Sequence, residues 1–134
     1  MIKNLYFTFM AANPYVLVVE DDPFYSKVYH TKLEKEGISA QIVSNGKDAL
    51  LQAKKEKPGL MLLDLILPGK DGFGILADFK ADADLKDIKV IILSNLSQEE
   101  DVKRVMDLGA TEYLVKSNVS IQDVVGKIKS HLGL

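Results

Sequence analysis

The chain predicts an α/β domain, doubly wound about a parallel sheet, and three observations predict it. From Tyr15 onward, short apolar runs alternate with longer helical patterns, the signature of repeated strand–helix–strand units. Three of the runs are nearly continuous Val, Ile, Leu and Met, as strands covered on both faces require. Four runs also end in a residue suited to metal or phosphate. Val16 to Val19 leads into Glu20-Asp21-Asp22, Leu60 to Leu63 into Asp64, Val90 to Leu93 into Ser94, and Tyr113 to Val115 into Lys116. In an open parallel sheet the carboxyl ends of neighbouring strands converge on one crevice, so these distant residues are expected to meet.

Strands are expected near 15–20, 39–43, 60–64, 89–93 and 112–116. The second, Ser39-Ala40-Gln41-Ile42-Val43, is more polar and reads as an edge strand. Pro23 opens a first helix that runs to Glu36, with Gly37 as its stop signal. A second spans Gly46 to Glu56 and ends before Pro58; a third covers Gly72 to Ala81. The fourth begins after Ser97, whose spacing to Glu100 makes a capping box, and ends at Gly109. The last, Ile121 to Leu132, sets Ile121, Val124, Val125, Ile128 and Leu132 on one stripe. Right-handed crossovers then give one domain over 14–134. Residues 1–13 read as an extension, added or native, that is frayed or packed as an extra edge piece. A secretory leader is disfavoured because the first strand follows almost at once.

The 134 residues are enough to bury a core without staples. The chain is 47% hydrophobic and 27% charged, ordinary for a globular domain. With a net charge of −2 and no basic block, non-specific nucleic-acid binding is not expected. No run approaches the roughly 20 apolar residues of a membrane span. The absence of cysteine excludes disulfides and thiolate metal sites and suits the cytoplasm.

Taken singly, each candidate has a plain reading. Asp64 is a polar residue opening a loop, and Glu20-Asp21-Asp22 favours a helix N-terminus through its dipole. Asp71-Gly72 is a turn, Ser94 a polar cap and Lys116 a solvating charge. Their coincidence at successive strand ends argues for a phosphate-handling site. Three crowded carboxylates, Glu20, Asp21 and Asp64, require a cation, and an all-oxygen set suits Mg²⁺.

Val18-Val19-Glu20-Asp21-Asp22, Leu62-Leu63-Asp64 with Pro68 and Asp71-Gly72, Ile92-Leu93-Ser94, and Gly109 through Lys116 occur in that order. From Val16 to about Leu132 the chain thereby resembles the receiver domain of bacterial two-component response regulators. The resemblance implies a flavodoxin-like five-stranded sheet of order 2-1-3-4-5. It also implies phosphoryl transfer from a histidine kinase or histidine phosphotransfer protein onto Asp64. Mg²⁺ would be held by Asp21 and Asp64 directly, by the Ile66 backbone carbonyl, and by Glu20 mainly through water. Lys116, Ser94 and the Asn95 backbone N–H would bind the phosphoryl oxygens. Ser94 and Tyr113 would form a switch reshaping the face of the fourth helix, fifth strand and fifth helix, although Tyr113 as plain packing stays open. Such a domain is a cytoplasmic signalling element rather than a turnover enzyme, working alone, as a relay carrier or cut from a longer regulator or hybrid kinase. No effector segment is read here, and Lys103, Arg104, Asp107, Lys127 and Lys129 read as a solvated surface, with a partner site as the alternative.

Three positions depart from the family pattern. Ser117 replaces the proline usual after the lysine, so a trans bond and an altered loop are expected. Asn95 is bulkier than the small residue common there and is expected to narrow donor access. Ile66 and Leu96 stand where relatives carry polar groups; neither can orient a water, so a long-lived phospho-Asp64 is expected. Two other readings compete. A small Mg²⁺-dependent phosphatase on this fold needs a general acid two residues after the aspartate, where Ile66 stands. A pseudo-receiver would bind partners without phosphorylation.

Overall fold

Residues 14–134 are described by a computed structural model; the extension expected at 1–13 lies outside the described residues. Elements alternate strictly, as β1 (Val16–Val19), α1 (Pro23–Lys35), β2 (Ala40–Val43), α2 (Gly46–Lys55) and β3 (Leu60–Leu63). There follow α3 (Gly72–Ala81), β4 (Lys89–Ser94), α4 (Glu99–Asp107), β5 (Glu112–Val115), a 3₁₀ turn at Lys116–Asn118 and α5 (Ile121–Leu132). The sheet is parallel throughout in the order β2-β1-β3-β4-β5, as expected. β2 is an edge strand, matching its polar composition.

Every residue of β1 and β3 is buried, because helices cover both faces. Alternation along the strands divides the core in two. Leu17, Val19, Met61, Leu63 and Ile92 face a layer built from α2, α3 and α4, around Ala49, Ile75, Leu76, Phe79 and Val105. Val16, Val18, Leu60, Leu62 and Ile91 face α1 and α5, packing Tyr29, Leu33, Val124, Val125 and Ile128. Among the described residues, no helix is long and apolar enough to cross a membrane.

The helix starts follow local chemistry. Asp22 caps α1 by accepting the Phe24 N–H at 2.9 Å, so the third acid of its cluster is a cap. Asp71 is likewise more than a turn residue: it caps α3, accepting the Gly74 N–H at 3.0 Å. The capping box expected at Ser97 does not form. Gln98 occupies the cap position of α4 without a side-chain bond, and Glu99, Glu100 and Asp101 favour the first turn through the helix dipole. The reason lies upstream, where Leu96 donates its N–H to Ser94 and accepts the Tyr113 hydroxyl, setting where the helix can begin. A reciprocal box does form at α5, between Ser120 and Asp123.

Gly72 is required by close approach. A Cβ there would lie 2.5 Å from the Asp64 carbonyl oxygen and from Leu65 Cα, both backbone. Gly126, inside α5, has nothing within 4 Å of a built Cβ. Gly72→Ala is therefore expected to cost about 2 kcal/mol or more through overpacking. Gly126→Ala should add about 0.5–1 kcal/mol by helix propensity, and urea midpoints of the two variants check both signs. At the far end of β5, His131 Nε2 at 2.7 Å and Lys127 Nζ at 3.0 Å hold the Glu112 carboxylate, His131 foremost, below the usual range. A depressed carboxylate stabilises the fold above its unfolded pKa and loses that effect as pH falls through the folded one. Glu112→Gln should thus lower stability by about 1 kcal/mol at pH 7, with the deficit vanishing below the glutamate range, as paired denaturation curves would record.

Candidate functional site

Register brings the site together. Val19 pairs with Leu63, Leu63 with Ile92, and Ser94 with Val115. Glu20, Asp64, Ser94 and Lys116 therefore emerge at one carboxyl edge of the sheet, beside each other although separated by up to 96 positions. Backbone bonds extend the ladder to that edge: Asp64 N–H donates to Val19 at 3.1 Å and Glu20 N–H to Val43 at 3.0 Å.

Glu20, Asp21 and Asp64 each offer a carboxylate oxygen within 4.8 Å of the others. Glu20 is 2% exposed and Asp64 8%, whereas Asp21 is open to solvent. Lys116, its side chain only 6% exposed, reaches Glu20 Oε1 at 2.5 Å and Asp64 Oδ2 at 3.1 Å. Burial lifts Glu20 above the ordinary glutamate range, and the share of Lys116 that it receives does not cancel that effect. For Lys116 burial works against the charge, but hydrogen bonds and charges from Glu20 and Asp64 outweigh it and hold the ammonium above its usual value. Among the described residues, one buried cation thus serves two buried carboxylates, and no ion pair reaches the third acid, Asp21. That excess of negative oxygen ligands, with one open side at Asp21, fits a hard divalent cation.

The other expected residues stand around this centre. Ile66 donates its backbone N–H to Asp64 Oδ1 at 3.1 Å, while its side chain is 55% exposed at the rim. Ser94 is fully buried, its hydroxyl accepting the Leu96 N–H at 3.3 Å. Tyr113 on β5 donates its hydroxyl to the Leu96 carbonyl; burial chiefly, then the charges of Asp101 and Asp64, raises its pKa.

Asn95 is exposed, and its side-chain oxygen accepts the Ser117 N–H at 3.0 Å, which ties the β4–α4 loop to the β5–α5 loop. The bulk expected to narrow donor access is thus engaged laterally with that loop. No cis peptide occurs among the described residues, as expected from Ser117, and a 3₁₀ turn starts at Lys116. Lys103 pairs with Asp107 at 2.7 Å on α4, both well exposed, as a solvated surface would.

Two contributors escaped the sequence reading. Ser26 donates its hydroxyl to the Glu20 carbonyl at 3.2 Å, steadying the acidic loop. Tyr25 lies beneath Lys116, whose Nζ sits 4.1 Å from the ring centroid. The only available signal was their position in the first turns of α1, directly after the acids.

Comparisons with known proteins agree with this geometry. The model of the response regulator receiver domain matches residues 16–129. RpaA, a DNA-binding dual master transcriptional regulator of Synechocystis, is 31% identical over 119 residues, covering 89% of this chain and 49% of that protein. Protein PilH of Pseudomonas aeruginosa is 35% identical over 101 residues, 75% of this chain and 84% of that protein. Among solved structures, the receiver domain of Francisella response regulator 1452 has a TM-score of 0.82 at 28% identity, covering 90% of this chain and 98% of that one. The chain spans about half the length of RpaA and of a ycf27 regulator from Pyropia yezoensis that it also matches. It belongs to the receiver domain family of two-component response regulators, in which accepting a phosphoryl group is the general role.

Proposed function

We propose that this receiver accepts a phosphoryl group on Asp64 from a phosphohistidine of a histidine kinase or histidine phosphotransfer protein, in the cytoplasm and with Mg²⁺. The observation that supports it most is the gathering of Asp64 with Glu20, Asp21 and the buried Lys116 at one sheet edge. An Asp64 carboxylate oxygen attacks phosphorus in line; the P–O bond forms as the P–N bond breaks, and the histidine nitrogen leaves with the bonding pair. Lys116 supplies fixed positive charge to the phosphoryl oxygens, with Ser94 and the Asn95 N–H as hydrogen-bond donors. Asp21 and Asp64 directly, the Ile66 carbonyl, and Glu20 mainly through water would hold the cation. When bound, Mg²⁺ neutralises the carboxylates and draws charge from the phosphoryl oxygens.

Output uses the same groups. The Ser94 hydroxyl turns toward the new phosphoryl oxygens and releases Leu96, whose carbonyl holds the Tyr113 hydroxyl. Tyr113 then changes rotamer, and the surface of α4, β5 and α5 is the readout. The chain functions as a switch or relay carrier rather than a turnover enzyme. Ile66, standing where a phosphatase would place its acid, supports that reading.

Intact-mass measurement after acetyl phosphate with Mg²⁺ should show one added phosphoryl group in the wild type and none in Asp64→Ala. A gain that survives the substitution moves the acceptor elsewhere. Ile66 and Leu96 offer an attacking water nothing to orient it, so the acyl phosphate should be long-lived. Ile66→Glu combined with Leu96→Gln should speed its loss on the order of tenfold, by analogy with positioned general bases. A wild-type lifetime of seconds, unshortened by these changes, contradicts the idea.

A further inference from the structure

Lys116 is held from three sides. Glu20 and Asp64 occupy two; the third is the face of Tyr25, with Nζ 4.1 Å from the ring centroid. That distance is within cation–π range, and the ammonium is nearly desolvated, the condition under which the attraction is strongest. The ring is itself fixed. One helical turn on, Tyr29 stacks on it at 5.9 Å and 23°, and Tyr29 is only 2% exposed. Phe24 meets its edge at 5.4 Å and 78°. Among the described hydrogen bonds the Tyr25 hydroxyl has none, so the aromatic face rather than the phenol makes the contact.

We propose that Tyr25 is a positioning residue for phosphoryl transfer, its ring holding the Lys116 ammonium at the rim of the acidic pocket and screening it from water. This rests on Asp64 being the phosphoacceptor. A lysine has four rotatable methylene bonds, and its ammonium can follow whichever carboxylate attracts it more. Here Glu20, at 2.5 Å, competes with Asp64 at 3.1 Å. A ring beneath the ammonium limits that freedom and keeps the charge within reach of the carboxylate that reacts. Positioned charge of this kind acts without reorganisation when phosphoryl charge develops.

The test compares phosphorylation rates with phosphoramidate and Mg²⁺, followed by intact mass, for wild type, Tyr25→Phe, Tyr25→Leu and Tyr25→Met, with Asp64→Ala alongside. Tyr25→Phe keeps the ring and should react within about twofold of wild type. Both ring-less variants should slow by about three- to tenfold, the range a cation–π contact allows. The upfield ring-current shift of the Lys116 ε-methylene protons should persist in Tyr25→Phe and disappear in the ring-less variants. Tyr25→Met keeps apolar bulk on α1, so it carries the comparison should Tyr25→Leu lose its fold. Wild-type rates in the ring-less variants, or Tyr25→Phe as slow as they are, would overturn the assignment to the ring while leaving phosphorylation of Asp64 intact. A mass gain that persists in Asp64→Ala overturns both.

Discussion

Charge balance at the carboxyl edge of the sheet is the constraint on which the rest depends. Glu20 and Asp64 are buried, Asp21 lies beside them, and Lys116 is, among the described residues, the one cation paired there. Removing an ion from water costs several kcal/mol, which a partner offsets only when geometry is good. One ammonium divided between two carboxylates offsets it in part, as the raised pKa of Glu20 records. The apolar layers on both faces of the sheet supply the stability that tolerates this arrangement. On the proposed function, an added cation or the conversion of a carboxylate into an acyl phosphate would each relieve an unfavourable balance.

The end of β4 and the Tyr113 side chain meet at one residue. Leu96 gives its N–H to the Ser94 hydroxyl and its carbonyl to the Tyr113 hydroxyl. Ser94 is the last residue of β4, and Tyr113 belongs to β5, whose Glu112 pairs with Lys127 and His131 of α5. Two hydrogen bonds on the two sides of one residue thus join the end of β4 to the Tyr113 side chain on β5. Their joint presence also fixes where α4 starts, which is why its cap is Gln98.

Much of this was legible in the sequence, for physical reasons that also mark the limit. β1 and β3 were clear because strands buried on both faces admit almost nothing except large apolar residues. Glu20 and Asp64 were clear because each directly follows such a strand, and Ser94 and Lys116 because they stand at the ends of the next two apolar runs. The cap of α4 was misplaced because local spacing cannot register tethers made by Ser94 and Tyr113, whose own placement depends on the sheet. Tyr25 was missed for a similar reason: its partner Lys116 lies on another element, and an aromatic in the first turn of α1 looks like ordinary packing. Asp22 and Asp71 were underread as a charge and a turn, since capping depends on backbone direction that composition does not specify.

The departures from the family pattern explain each other once the loops are seen together. A proline after Lys116 would have no N–H to give; Ser117 has one, and it points at Asn95. A small residue at 95 would offer no side-chain acceptor, whereas the Asn95 carboxamide reaches 3.0 Å. The two unusual residues therefore form a cross-loop bond that replaces the rigidity a fixed proline ring would otherwise provide. The bond joins the residues directly after Ser94 and Lys116, so the ends of β4 and β5 are tied by a polar contact rather than by a restricted torsion. A hydrogen bond of this sort, exposed to water, is weaker than a covalent constraint and can open and reclose. A tie of this kind restrains the distance between the two loops while leaving the backbone torsion at Ser117 open, which a proline ring would fix.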